Sequence, residues 1–252
     1  MKFPATALPF RRRRVDTSDT TTSSHTHKIE ALDSIRGIAA FSVVFWHFAS
    51  IFFPAAIGAD TSTAHTDHER WLYESPLASL YSGSFAVSLF FILSGFVLTL
   101  RFFSGKQGSL FPAAMKRYFR LVPIALASVL ISYTLLSLGL YTNVVLQAGV
   151  TESPWMGKAY FAFDPSFMAA LWQGLVGVFT TQVAGEITYN PVLWTIYYEM
   201  LGSLLVFGLA TLCRGQGKRW ILYAIALLAF MDTNFAGFIV GMVLADLYAS
   251  AP

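Results

Sequence analysis

Residues 77–100 read LASLYSGSFAVSLFFILSGFVLTL and hold no Asp, Glu, Lys or Arg; Arg101 follows at once. About 20 apolar residues suffice to cross a hydrocarbon layer of about 30 Å. Similar runs lie to either side, at 37–57, 121–150, 191–213 and 220–248, with a weaker one at 167–183. In lipid each backbone N–H and C=O has to be satisfied within its own segment, so these runs are expected to be helices. Composition agrees: 55% of the chain is apolar and 12% charged, against about 25% charged in ordinary globular domains. Mean hydropathy is +0.56. The expected fold is therefore an all-α polytopic transmembrane helix bundle of five to six spans. Cys213 is the only cysteine, which excludes a disulfide scaffold.

The charges are unevenly placed. The net charge is +3, and residues 1–36 account for all of it, through Lys2, Arg11–Arg14, Lys28 and Arg36 against Asp16, Asp19, Glu30 and Asp33. A nucleic-acid surface needs basic groups spread over a folded face, so no nucleic-acid partner is expected. Residues 1–28 read as a disordered, basic and Thr/Ser-rich tail, with residues 29–252 forming the transmembrane domain. No apolar stretch follows the arginines closely enough for a secretory signal. The tail is either solvated or drawn to anionic lipid, and both readings favour a cytoplasmic N-terminus.

The loops carry the same message. Segment 58–76 has Asp60, Asp67, Glu69 and Glu74 against Arg70, whereas 101–120 has Arg101, Lys106, Lys116, Arg117 and Arg120 with no acid. Lys and Arg collect in cytoplasmic loops, which puts 101–120 inside and 58–76 outside. The run 167–183 leaves two topologies open. If it crosses fully, Arg214, Lys218 and Arg219 end outside; if it is re-entrant or interfacial, they return inside.

Ionisable groups within spans are costly and mark candidate function. His47 stands between Trp46 and Phe48 in the first span, and is expected near mid-membrane. Arg36 precedes it on the same helix face, at an axial distance of about 16 Å, and Asp33 reads as the N-cap of that helix. Ser84, Ser88 and Gly95 approximate one face of the second span, which suits close helix packing or a groove for a slender chain. Lys116, Arg117 and Arg120 stand before the third span with Pro123 in its first turn. They serve either as a positive-inside anchor or as a phosphate clamp. Glu199 lies about two turns into the helix that Asn190-Pro191 opens, and its carboxylate needs a buried partner, His47 or an arginine. His65-Thr66-Asp67-His68-Glu69 is a weak metal signal in an exterior loop, and no metal is expected.

Together these stretches resemble the acyltransferase 3 family of integral membrane acyltransferases. The resemblance runs over roughly residues 29–248. It rests on Leu32-Asp33-Ser34-Ile35-Arg36-Gly37 with His47 completing Arg-x10-His, on Phe90 to Phe96, on Lys116-Arg117-x-x-Arg120, and on Leu193-Trp194-Thr195-Ile196-x-x-Glu199. Thr195 and Ile196 stand where the family has Ser and Leu, and the Trp-Thr-Ile form followed by Gly202-Ser203 looks like fungal members. The resemblance implies transfer of an acyl group, usually acetyl, from acyl-CoA to a hydroxyl of a carbohydrate or other small acceptor. It implies His47 as catalytic base with Arg36 as its same-face partner and Glu199 in support. It assigns Lys116, Arg117 and Arg120, with Ser94 and Gly95, to the acyl-CoA side. Family members commonly have more spans than this chain, so a C-terminally short form is expected, and an inactive truncated fragment is one alternative. A transporter-like protein using His47 and Glu199 as a relay is another.

Overall fold

The computed structural model describes residues 30–58, 62, 64–104, 110–142, 150–156, 161, 163–181, 187–213, 217 and 219–250. The tail expected over 1–28 lies outside the described residues. Every regular element among those residues is helical. The helices are α1 (Glu30–Phe52), α2 (Asp67–Glu74), α3 (Gly83–Phe103), α4 (Leu110–Ser137), α5 (Phe167–Thr180), α6 (Trp194–Cys213), α7 (Arg219–Phe230) and α8 (Phe235–Ser250). Among the described residues four stretches are long and apolar enough to cross a membrane: Ala31–Phe52, Gly83–Phe103, Pro112–Ser137 and Pro191–Cys213.

The bundle wears its apolar residues outward. On α1, Ile38, Phe41, Val44 and Phe48 are 68%, 71%, 66% and 51% exposed. Their helical spacing makes one continuous apolar face, while Ala39, Ser42, Ala49 and Ser50 on the other side are buried. Water would penalise such a face by about 25 cal/mol for each Å² left in contact; a lipid bilayer does not.

Several boundaries differ from the sequence reading. Helix α1 begins at Glu30, so Asp33 lies within the helix and pairs with Arg36 at 3.5 Å instead of capping it. Helix α4 begins at Leu110, which puts Lys116, Arg117 and Arg120 inside it and Pro123 well past its first turn. The run 220–248 is two helices, broken where Thr233 turns back to the Phe230 carbonyl through both its N–H (2.9 Å) and its hydroxyl (2.8 Å). Asp232, Thr233 and Asn234 are turn formers, and the 12 and 16 residues on either side rise only about 18 and 24 Å.

Contacts on either side of α5 bear on the two topologies left open for 167–183. The Tyr189 hydroxyl donates to the Ser166 carbonyl at 2.9 Å and accepts from the Ser166 N–H at 2.8 Å. Residues on either side of α5 therefore lie at one level of the bundle. The Gln173 side chain ties the two limbs, accepting from Tyr189 N at 2.9 Å and donating to Thr188 Oγ1 at 3.2 Å. Between these ends α5 dips only as far as the level of Tyr118, whose hydroxyl donates to the Leu175 carbonyl at 2.8 Å. A π-helical stretch, Gln173–Gly177, brings Gly174 against Leu126 of α4. The chain beyond α5 thus comes back to the level of Ser166, the geometry of the re-entrant alternative. Helix α6 runs parallel to α3, with Thr195 beside Ser84 and Ser88 on one cavity and Glu199 on Ser94, and Cys213 and Tyr223 belong to the core cluster against which Phe102 and Phe103, next to Arg101, also pack. The start of α7, with Arg219, lies at that same end.

The core is a three-helix contact of α3, α6 and α8. A Cβ on Gly95 would overlap the Phe238 carbonyl, and one on Gly241 would overlap the Ile92 carbonyl. The two backbones touch, and Gly237-x-x-x-Gly241 is the small-residue pattern that permits it. Phe238 stacks on Phe91 at 5.0 Å and fills the space above Gly202 of α6. Gly241→Ala is expected to cost about 1–3 kcal/mol through overpacking. It should lower the melting temperature of the detergent-solubilised chain; an unchanged transition would contradict this packing.

Candidate functional site

Glu199 is the best-connected side chain of the site. Asn190 starts its helix, accepting from Val192 N at 3.0 Å with Pro191 next in line. That start places Glu199 in the second turn of α6, facing α3 and α4. Its carboxylate forms an ion pair with the Arg117 guanidinium and accepts from Ser94 Oγ, which lies 3.0 and 3.2 Å from its two oxygens. Arg117 also donates from Nε to the Glu199 carbonyl at 3.1 Å, and the Ser203 hydroxyl donates to that same carbonyl. Arg117 is 5% exposed. Two charges at this depth are tolerable only as a hydrogen-bonded pair. Of the two partners the sequence allowed for Glu199, the structure supplies the arginine.

Lys116 and Arg120 flank Arg117 on α4 and are exposed. The charges of Arg120 and Arg36 both act on Arg117, so α1 and α4 gather cations at one end of the site. Gly95 faces α8 at the helix crossing, and Ser94 is engaged with Glu199; neither lies open to the cavity described next.

His47 is half-buried five residues before the end of α1, so it lies in the Phe52 half of the helix and not at its middle. Its ring meets Trp46 edge-on at 5.1 Å and lies 6.0 Å from the Trp155 ring. The position of α1 is fixed by small contacts to the chain before α3. Ser42 Oγ donates to the Leu80 carbonyl at 2.7 Å, and Trp46 packs over Gly83. The buried Tyr81 hydroxyl donates to the Ala56 carbonyl at 2.8 Å. Burial pushes its pKa up, which keeps it a donor.

A cavity of about 340 Å³ joins these parts. His47 and Trp46 of α1, Ser84 and Ser88 of α3, and Thr195 and Glu199 of α6 line it. Ser84 and Ser88 thus face the cavity while Gly95, on the same nominal face, serves packing. The arrangement is an imidazole toward one end of an apolar slot and a clamped carboxylate with nearby cations toward the other. Such a slot can hold a thin acyl chain with a polar end, and can move a proton at the imidazole.

A family model described as an acyltransferase domain matches residues 29–250. The chain belongs to the acyltransferase 3 family. It is similar to the acyltransferase clz18 of Cochliobolus lunatus, with 29% identity over 221 residues that cover 71% of this chain and 46% of the relative. The chain therefore spans about half the length of that curated relative. No solved structure matches it. The family and the four long apolar helices among the described residues point to a multi-pass membrane protein.

Within this family member, sequence reasoning passed over three features. Asp246 of α8 is buried, and is held by Arg219 at 2.8 Å and by the Tyr223 hydroxyl at 3.0 Å. An acid inside an apolar helix is the same signal that exposed Glu199. The Gly237–Gly241 spacing was also readable. Trp155 beside His47 was not, because nothing local marks it. Between α1 and α3, Glu69 accepts from the backbone N–H groups of His65 (2.8 Å) and Thr66 (3.1 Å), which completes the capping box that Thr66 opens at the start of α2.

Proposed function

We propose that the protein transfers an acyl group, acetyl in the simplest case, from acyl-CoA to a hydroxyl of a carbohydrate or other small acceptor, with His47 as general base. The observation that carries this reading is the shared cavity. His47 and Glu199, far apart in sequence and both ionisable within apolar helices, line one slot of about 340 Å³. On this reading the N-terminus and the Arg101–Arg120 side are cytoplasmic, where acyl-CoA is found.

The chemistry balances with residues in place. The imidazole of His47 takes the acceptor's hydroxyl proton as its oxygen attacks the thioester carbonyl. The new C–O bond forms, the C–S bond breaks, and the CoA thiolate leaves with the proton returned by the imidazolium. Histidine titrates near neutral pH and suits both proton transfers. Lys116 and Arg120, exposed on α4, meet the phosphates of CoA. Arg117 acts through Glu199, holding the carboxylate end of the slot, and Arg36 adds positive charge on the α1 side. Ser94 positions Glu199, and Gly95 sets the distance between α3 and α8 beneath the slot.

Membranes containing the full chain should form labelled ester from labelled acetyl-CoA above the level of empty-vector membranes. Arg120→Ala is expected to raise the KM for acyl-CoA by about tenfold, the value of one charge-assisted phosphate contact, with a much smaller change in kcat. Equal KM values would remove Arg120 from the donor site.

A further inference from the structure

The structure has a second and larger cavity, of about 720 Å³, between α4 and residues 141, 155, 161 and 189–192. We propose that it is the acceptor subsite, shaped for a hydroxylated molecule with a flat apolar face, such as an aromatic or polycyclic alcohol. The inference rests on the acyl-transfer reading above and narrows its acceptor.

Its position is the first argument. Trp155 lines this cavity, and its ring lies 6.0 Å from that of His47. Val192 lines both this cavity and the slot that holds His47. A molecule resting on Trp155 would thus carry its edge to the imidazole from the side opposite the α4 cations. Donor and acceptor would enter by separate routes and meet at one residue.

The lining is the second argument. Tyr141 and Phe161 stack in parallel at 4.0 Å and 7°, forming a flat wall. Ile124, Ile131 and Pro191 supply further apolar surface. The polar groups are few and largely spent on one another. The Tyr141 hydroxyl lies 2.8 Å from Ser132 Oγ, and the Asn190 amide donates to Ser128 Oγ at 2.5 Å. A free sugar needs a partner for each hydroxyl it buries, at a cost of about 1–3 kcal/mol for each one left unmet. A planar ring system with one hydroxyl escapes that cost and gains about 0.5–1.5 kcal/mol for each aromatic contact. The volume falls within the usual range for small-molecule sites, about 300–1,000 Å³.

The test uses 2-naphthylmethanol and methyl glucoside as probes on the full chain in detergent. Thermal stabilisation is measured as a function of probe concentration. Naphthylmethanol should stabilise the wild-type chain. Trp155→Ala should raise its half-saturating concentration about tenfold, one aromatic contact being worth up to about 1.5 kcal/mol. Ile131→Trp fills the cavity from a position that is 62% exposed, so it leaves the core intact and should have the same effect. No stabilisation by naphthylmethanol, stabilisation that survives Ile131→Trp, or cavity-dependent stabilisation by methyl glucoside alone would each overturn the proposal. Ester formation from labelled acetyl-CoA separates the two readings. Cavity-dependent binding of naphthylmethanol without transfer to it contradicts the transfer reading and leaves the subsite standing. Transfer to it that ignores Ile131→Trp does the reverse.

Discussion

His47→Ala is expected to lower acyl transfer by about 10²–10⁴-fold, the contribution of a positioned general base, while the protein still accumulates in membranes. His47 is half-buried at the wall of an open slot, and its contacts are to Trp46 and Trp155. Removing the imidazole leaves both indoles in place and no charge unpaired, so the fold should survive. The loss should fall on kcat, because the proton moves in the transition state and not on binding. His47→Gln keeps the volume and a hydrogen-bonding group but offers no base, and should be as impaired as alanine. Activity retained in the glutamine variant would reassign His47 to packing.

The second large effect is on stability. Arg117→Leu is expected to destabilise the bundle by about 3–5 kcal/mol, because it strands the Glu199 carboxylate among α3, α4 and α6. Ser94 alone then faces a charge that the Arg117 guanidinium had balanced, and the Glu199 main-chain carbonyl keeps only the Ser203 hydroxyl. The double variant Arg117→Leu with Glu199→Leu should recover most of that loss, since a buried ion pair replaced by apolar side chains is often close to neutral. Thermal denaturation of the four proteins in the mutant cycle measures the coupling. Additive losses would mean that the pair does not act as a unit. The double variant should remain impaired in transfer even where its melting temperature recovers, which separates the site role of the pair from its structural one.

The sequence spoke most clearly where a charged group interrupts an apolar run. His47 and Glu199 are visible for that reason, Arg36 and Arg117 because they stand at the margin of a run, and the helices that bear them are among those long and apolar enough to span. It was silent where the outcome depends on contacts between distant segments. Within 167–183 the sequence left a full crossing and a re-entrant helix both open. The decision lies in Tyr189 closing on Ser166 and in Gln173 reaching Thr188 and Tyr189. With the chain beyond α5 back at the level of Ser166, α6 parallels α3, and Arg219 joins the basic end of the bundle without conflict. Helix boundaries failed for a plainer reason. Residues 110–120 mix Leu, Phe and Ala with Lys and Arg, and all of these are tolerated in a helix, so α4 starts well before its apolar stretch. Gly95 shows the limit of face arithmetic: it shares a nominal stripe with Ser84 and Ser88, yet two helix turns further on the neighbour is α8 and not the cavity.

The central claim is that the slot between α1, α3 and α6 receives the acyl end of acyl-CoA. Its most direct test is photocrosslinking of the membrane-embedded chain with an acyl-CoA that carries a diazirine on its acyl chain, followed by peptide mapping. Label is expected on cavity-lining residues such as Val43, Val87 and Phe90, with excess unlabelled acyl-CoA competing it away. Competable label confined to other helices, or label on these residues that unlabelled acyl-CoA does not reduce, would contradict the account.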